Sequence, residues 1–176
     1  MRCEVEFLAV GDGSRPGDAI IVRYGDPAAY QLMVVDGGTA NCGGTLVAHL
    51  KKHFGALVSL EHVVLTHSDA DHASGLREVL REIPVAHVWL HIPWLLSEHA
   101  MHLFKHKGWT KDTLAAAIKK EYDIVAEIVD LAIAQGCQLR YPFQGQQIGP
   151  FAVPPPGAAR KGGGQGPELG AGILDR

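Results

Sequence analysis

The stretch VVLTHSDADHASGL, residues 63–76, sets two histidines and two aspartates within the six positions His67 to His72. On one side, His62 to Leu65 is a short apolar and β-branched run that reads as a strand. On the other, Leu76, Val79, Leu80 and Ile83 recur at i, i+3, i+4 and i+7, the spacing of an amphipathic helix. The polar hexapeptide therefore occupies a strand-to-helix loop, and the chain around it must alternate strands and helices.

That alternation continues in both directions. Val5 to Val10, Ala19 to Tyr24 and Gln31 to Val35 read as strands of an N-terminal meander, separated by Gly, Pro and Asp. GGTLVAHLKKHFG then places Leu46, Val47, Leu50 and Phe54 at helical spacing, with Thr45 as a candidate cap and Gly55 as a stop. Further on, Val85 to Leu90 reads as a strand, Trp94 to Phe104 and Thr113 to Ala134 as helices, and Gln138 to Tyr141 and Ile148 to Val153 as strands. The segment 154–176 holds seven Gly and four Pro, a composition that predicts a disordered tail after a domain spanning 1–153.

At 176 residues, 47% hydrophobic and 20% charged, the chain is large enough for one domain with a true core. No apolar run approaches the length of a membrane span, and the N-terminus lacks the pattern of a secretory signal. The expectation is a soluble, cytoplasmic protein with no membrane partner. Three scattered cysteines form no C-x-x-C pair, which argues against a disulfide framework or a cysteine zinc site. A net charge of −3 without basic clusters argues against nucleic acid as a partner.

His67, Asp69, Asp71 and His72 are ligand types shared by Zn, Mn and Fe, and one loop can turn all four toward one point above a strand end. The alternative is local: Asx turns at Asp69 and Asp71, helix capping by Ser74 or Asp71, and solvated histidines.

THSDADHASGL resembles the signature loop of the metallo-β-lactamase superfamily, H-x-[HD]-x-D-H followed by a small residue and Gly, in the variant with Asp at the third position. That variant is typical of the β-lactamase-like domain of bacterial competence (DNA-uptake channel) proteins and their soluble relatives. FLAVGDGSRPGDAIIV is similar to the family's opening strand, Gly-Asp turn and second strand, and MVVDGG to its Asp-Gly motif. The resemblance runs from about Glu4 to Leu80. It implies an α/β (α+β) fold, the N-terminal half of an αββα sandwich with a mixed sheet covered by helices, and metal at the sheet edge. It further implies that His67 and Asp69 serve a first metal position, Asp71 and His72 a second, and that Asp36 is a buried carboxylate steadying the loop. The implied activity is metal-dependent hydrolysis of a small-molecule substrate, a phosphodiester or other ester, with zinc favoured over Mn or Fe and with Asp71 holding the attacking water as the catalytic residue.

The family's later ligand motifs have no counterpart. Every histidine lies between His49 and His106, and after Asp130 the acidic residues are Glu168 and Asp175. The expectation is a truncated or frame-shifted member, whose first sheet would expose an apolar face open to self-association. Such a piece could equally be an inactive fragment or interaction module.

Three other features carry less. His99, His102 and His106 share a predicted helix face, where solvated histidines are commoner than ligands. His91 ends a strand outside the usual third-histidine context. GDGSRPGD lacks the residues of a nucleotide loop and precedes a strand, so it reads as a long hairpin loop.

Overall fold

The structure, a computed structural model, describes residues 2–10, 17–103 and 108–153. Tail residues 154–176, His106 and most of the GDGSRPGD loop lie outside the described residues.

Six strands form one mixed sheet in sequential order: β1 (Arg2–Phe7), β2 (Ile20–Asp26), β3 (Ala29–Val35), β4 (Leu60–Val64), β5 (Val85–Trp89) and β6 (Gln138–Arg140). β1, β2 and β3 run antiparallel, the predicted meander. From β3 onward the pairs are parallel, which requires a crossover between successive strands. Helix α1 (Ala40–Phe54) supplies the first crossover. The second runs through α2 (Ala70–Ala73) and α3 (Leu76–Glu82). The third contains α4 (Ser97–Ala100), α5 (Lys111–Glu121) and α6 (Asp123–Gln135). This is the mixed sheet with helices that the sequence predicts.

Register explains the core. Ile21, Val34, Val63 and Val88 stand opposite one another across β2 to β5, each at most 1% exposed. They join Leu46 and Leu50 of α1, Leu76 and Val79 of α3, and Ile128 and Ala132 of α6 in one cluster. Each large apolar side chain so buried contributes roughly 1.5–3 kcal/mol. The alternate positions form a second ladder, Val22, Met33, His62 and His87. There Val22, Met33 and His62 are buried, whereas Val5 and Phe7 on the edge strand β1 are exposed. His62 accepts a hydrogen bond from Trp89 Nε1 at 3.2 Å. Burial, with a smaller contribution from the neighbouring His87, holds its pKa below the usual histidine range.

Several element boundaries differ from those predicted. Helix α1 begins at Ala40, so Thr45 is interior and caps nothing. Gly43 sits inside the helix because α1 crosses α3 there: a Cβ would lie 2.9 Å from both Glu78 Cβ and Gly75 O. The continuous helix expected over Thr113 to Ala134 is broken at Tyr122 (φ −109°, ψ 47°). Asp123 restarts it, its side chain accepting from Ile124 N at 2.7 Å. The segment expected as a helix from Trp94 is a 3₁₀ turn over Pro93–Leu96, then α4, then a second 3₁₀ turn over Met101–Leu103. Gly136 ends α6 in the left-handed conformation.

Residues 143–176 group as a separate unit from 1–142. Its described part is a small hairpin, β7 (Gln147–Ile148) with β8 (Phe151–Ala152). Among the described residues, no helix is long and apolar enough to cross a membrane.

Candidate metal centre

The site forms where β3 and β4 end side by side. Asp36 follows β3, and Thr66 and His67 follow β4. Asp36 N donates to Val64 O at 2.9 Å, extending the parallel ladder by one step. The chain then turns sharply, with Asp36 at φ +57°, a left-handed conformation uncommon for a residue other than glycine and characteristic of functional sites.

The Asp-Gly-Gly sequence is required by what packs on it. Gly37 N donates to His72 O at 2.7 Å, and Gly75 N donates to Gly38 O at 3.0 Å. A Cβ on Gly37 would fall 2.4 Å from Leu76 N, and one on Gly75 would fall 1.9 Å from Gly37 O. Two backbones thus meet without room for a side chain, and this contact fixes the 67–72 loop against the end of β3. A third strand of chain leans on the same loop: a Cβ on Gly17 would fall 2.4 Å from Asp71 O, and Gly38 N donates to Asp18 O at 2.8 Å.

Asp36, 2% exposed, is the centre of the polar network. Its Oδ1 accepts from Thr66 N at 2.8 Å. Its Oδ2 accepts from the Thr66 hydroxyl at 2.6 Å and from His72 Nδ1 at 2.9 Å. Thr66 Oγ1, having donated its proton to Asp36, accepts from His67 Nδ1 at 2.9 Å. A carboxylate can only accept, so this wiring places a proton on Nδ1 of both histidines, and in the neutral imidazoles the lone pair is then on Nε2.

Those Nε2 atoms face carboxylates. His67 Nε2 lies 3.6 Å from Asp69 Oδ2, and His72 Nε2 lies 4.0 Å from Asp71 Oδ2. The two imidazoles sit with centroids 3.9 Å apart. The four loop residues therefore form two imidazole–carboxylate pairs side by side. Asp36, His67 and His72 make the one group of three or more His, Cys, Asp or Glu among the described residues with ligand atoms all within 4.8 Å of one another. Within it, the Asp36 oxygens are already engaged by Thr66 and His72.

The N-cap positions of α2 and α3 are not those the local capping alternative named, Ser74 or Asp71. Asp69 stands at the N-cap of α2 and Gly75 at that of α3, and neither makes a side-chain cap bond. Two residues of the site lacked any sequence signal that singled them out. Thr66 is a lone threonine before the loop, and Asp18, 3.9 Å from His72 Nδ1, lay in a motif read as a structural turn.

The chain matches the model of the metallo-beta-lactamase superfamily over residues 12–169. No curated protein matches it. Solved structures similar to it include MEM-A1, a subclass B3 metallo-beta-lactamase isolated from a soil metagenome library (20% identity, TM-score 0.36, covering 47% of this chain and 30% of that one). The Rm3 metallo-beta-lactamase is similar at 22% identity and TM-score 0.34, over 44% of this chain and 28% of that one. Metallo-beta-lactamase SMB-1 bound to 2-mercaptoethanesulfonate gives 21% identity and TM-score 0.34, over 45% of this chain and 35% of that one. The chain thus matches about a third of the length of these structures. The family-model match spans most of the sequence, and the chain belongs to the metallo-beta-lactamase superfamily.

Proposed function

We propose that this chain binds a divalent metal at the 67–72 loop and acts as a metal-dependent hydrolase, its substrate a phosphodiester or another small ester. The observation that carries this reading is the Asp36–Thr66 network. It fixes both histidines in the tautomer that presents Nε2 as a ligand, as carboxylate and hydroxyl partners do behind metal-bound histidines. His67 and Asp69 would hold an ion at one position, and Asp71 and His72 at the other. Zinc suits two imidazoles best, and the two carboxylates also accommodate Mn or Fe. When bound, such an ion supplies Lewis acidity at the sheet edge.

The chain's own residues do the rest. Asp36 and Thr66 hold the imidazole protons on Nδ1. Asp71, half-buried beside His72, accepts a hydrogen bond from the attacking water at Oδ2 and orients it, which is the catalytic role we assign it. The Asp at position 69, in place of a third imidazole, is the feature that aligns the chain with the competence-type branch.

A second reading, metal binding without turnover in a shortened member of the family, is favoured by one observation: among the described residues no further histidine, cysteine or carboxylate joins the Asp36–His67–His72 group. Catalytic zinc sites commonly use three protein ligands and keep one position open.

Metal analysis of the purified chain, combined with assays on bis(p-nitrophenyl) phosphate and a thioester with added Zn or Mn, tests both readings. Stoichiometric metal and turnover, each lost in His67→Ala and Asp71→Ala, is the expected result. Metal without turnover selects the second reading, and retention of metal and turnover in both variants refutes the assignment.

A further inference from the structure

Strand β1, at one edge of the sheet, has an open side. All six of its residues are exposed, Val5 at 52% and Phe7 at 73%, and among the described residues it pairs with β2 alone. That pairing is unbroken from Arg2 to Phe7, without the bulge, proline or lysine that commonly protects an exposed edge. The opposite edge, β6, is only three residues long. We propose that β1 is a homodimer interface, pairing antiparallel with β1 of a second copy about a twofold axis, so that Glu4 faces Glu4 and Arg2 faces Glu6.

Backbone parity limits the registers. Leu8 N donates to Ala19 O at 3.0 Å, and the register that sets Phe7 opposite Ile20 makes Leu8 and Ala19 a hydrogen-bonded pair. Such pairs alternate along an antiparallel ladder. Arg2, Glu4 and Glu6 therefore bond toward β2, while Cys3, Val5 and Phe7 aim their N–H and C=O at the open side. A second β1 must set these outward residues opposite one another. Charge then selects among the registers that remain, because like charges directly opposed destabilise a strand pair. With Val5 opposite Val5, Glu4 meets Glu6 on both sides of the axis. With Val5 opposite Phe7, Glu6 meets Glu6 and Arg2 has no partner. With Cys3 opposite Cys3, Arg2 meets a Glu4 already paired with Arg23 at 2.6 Å, and the overlap is shorter. With Cys3 opposite Val5, each Arg2 meets Glu6, whose neighbour His49 at 3.0 Å is charged only when protonated. The central Glu4 pair is then offset by the Arg23 of each copy.

In this register each Cys3 exchanges both backbone bonds with Val5 of the second copy, and the two side chains meet on the face away from Arg2, Glu4 and Glu6. The sheet continues across the axis with α1 on the same side in both copies. The contact is short, smaller than the roughly 1,200–2,000 Å² of a stable interface, so the dimer forms and dissociates with concentration. It is also independent of the metal-binding reading: the 67–72 loop follows β4, and β2 and β3 stand between β4 and this edge.

Sedimentation velocity of the full chain from about 10 μM to about 1 mM, the range suited to so small an interface, should show monomer giving way to dimer. Val5→Pro deletes an outward N–H and no bond to β2, which an edge strand tolerates. It should raise the dissociation constant by about tenfold or more with the circular dichroism spectrum unchanged. In a Cys3→Ser background, oxidised Glu4→Cys should give a disulfide-linked dimer, since opposed residues of a non-hydrogen-bonded pair lie about 4.5 Å apart between Cα atoms. Val5→Cys in the same background should not. A chain that stays monomeric throughout that range, a dimer indifferent to Val5→Pro, or failure of Glu4→Cys to crosslink in preference to Val5→Cys overturns the proposal. Should Val5→Pro not fold, the two cysteine variants decide.

Discussion

Asp36 and His72, distant in sequence, are joined by a 2.9 Å hydrogen bond between Oδ2 and Nδ1. The same oxygen also takes the Thr66 hydroxyl, so one buried carboxylate orients both imidazoles of the loop, His72 directly and His67 through Thr66. Asp36→Ala removes the acceptor for three donors at once. Loss of a partner behind a ligating histidine typically weakens metal binding about 10- to 100-fold, and that is the expected loss of zinc affinity. Zinc competition against a chromophoric chelator measures it. Thr66→Val should weaken binding less, because it unties only His67, and Thr66→Ser should restore it. Affinity unchanged in Asp36→Ala would show that the network does not serve a metal.

The contact between Gly37 and Gly75 leaves no space for a methyl group. Gly75→Ala puts a Cβ 1.9 Å from Gly37 O, which forces the two backbones apart and should cost about 1–3 kcal/mol, the usual range for overpacking. Gly44 provides the contrast. It lies within α1, exposed, with open space where a Cβ would be. Gly44→Ala should therefore stabilise by about 0.5–1 kcal/mol through helix propensity. Urea unfolding of both variants checks the opposite signs.

His62 makes stability depend on pH. Burial first, and His87 second, lower its pKa in the fold, against a smaller opposing effect of Glu61. Since the unfolded chain takes up this proton near pH 6.5 and the fold resists it, the unfolded state binds more protons just below that pH. The contribution is fully present above about pH 6.5 and is lost as pH falls from there through the depressed folded value. Denaturation midpoints at pH 7.5 and 5.5 should fall more in the native chain than in His62→Phe. Equal falls would remove His62 as the cause.

How much could be read from the sequence depended on whether a feature was local. The 67–72 loop stood out in the sequence because four potential ligand side chains are crowded into six consecutive residues. The strands β2 to β5 were legible because their β-branched runs are bounded by turn residues. Asp36 was reached only through the family resemblance, since nothing in the sequence says that a residue after β3 will meet one after β4. Thr66 and Asp18 escaped for the same reason. The break at Tyr122 was invisible to periodicity, because apolar residues continue at helical spacing on both sides of it. Likewise the early start of α1 was hidden by Gly43 and Gly44, which read as a loop until α3 is seen lying against Gly43.

The left-handed backbone at Asp36 carries an implication for how this lineage changes over time. Glycine adopts that conformation more readily than aspartate, so the carboxylate is kept there against a standing conformational preference. Under the proposed metal-binding reading, a descendant that bound no metal would be released from that requirement, and drift to Gly or Asn should appear at this position early. On that reading, the identity of residue 36 among close homologues should follow which of them bind the ion.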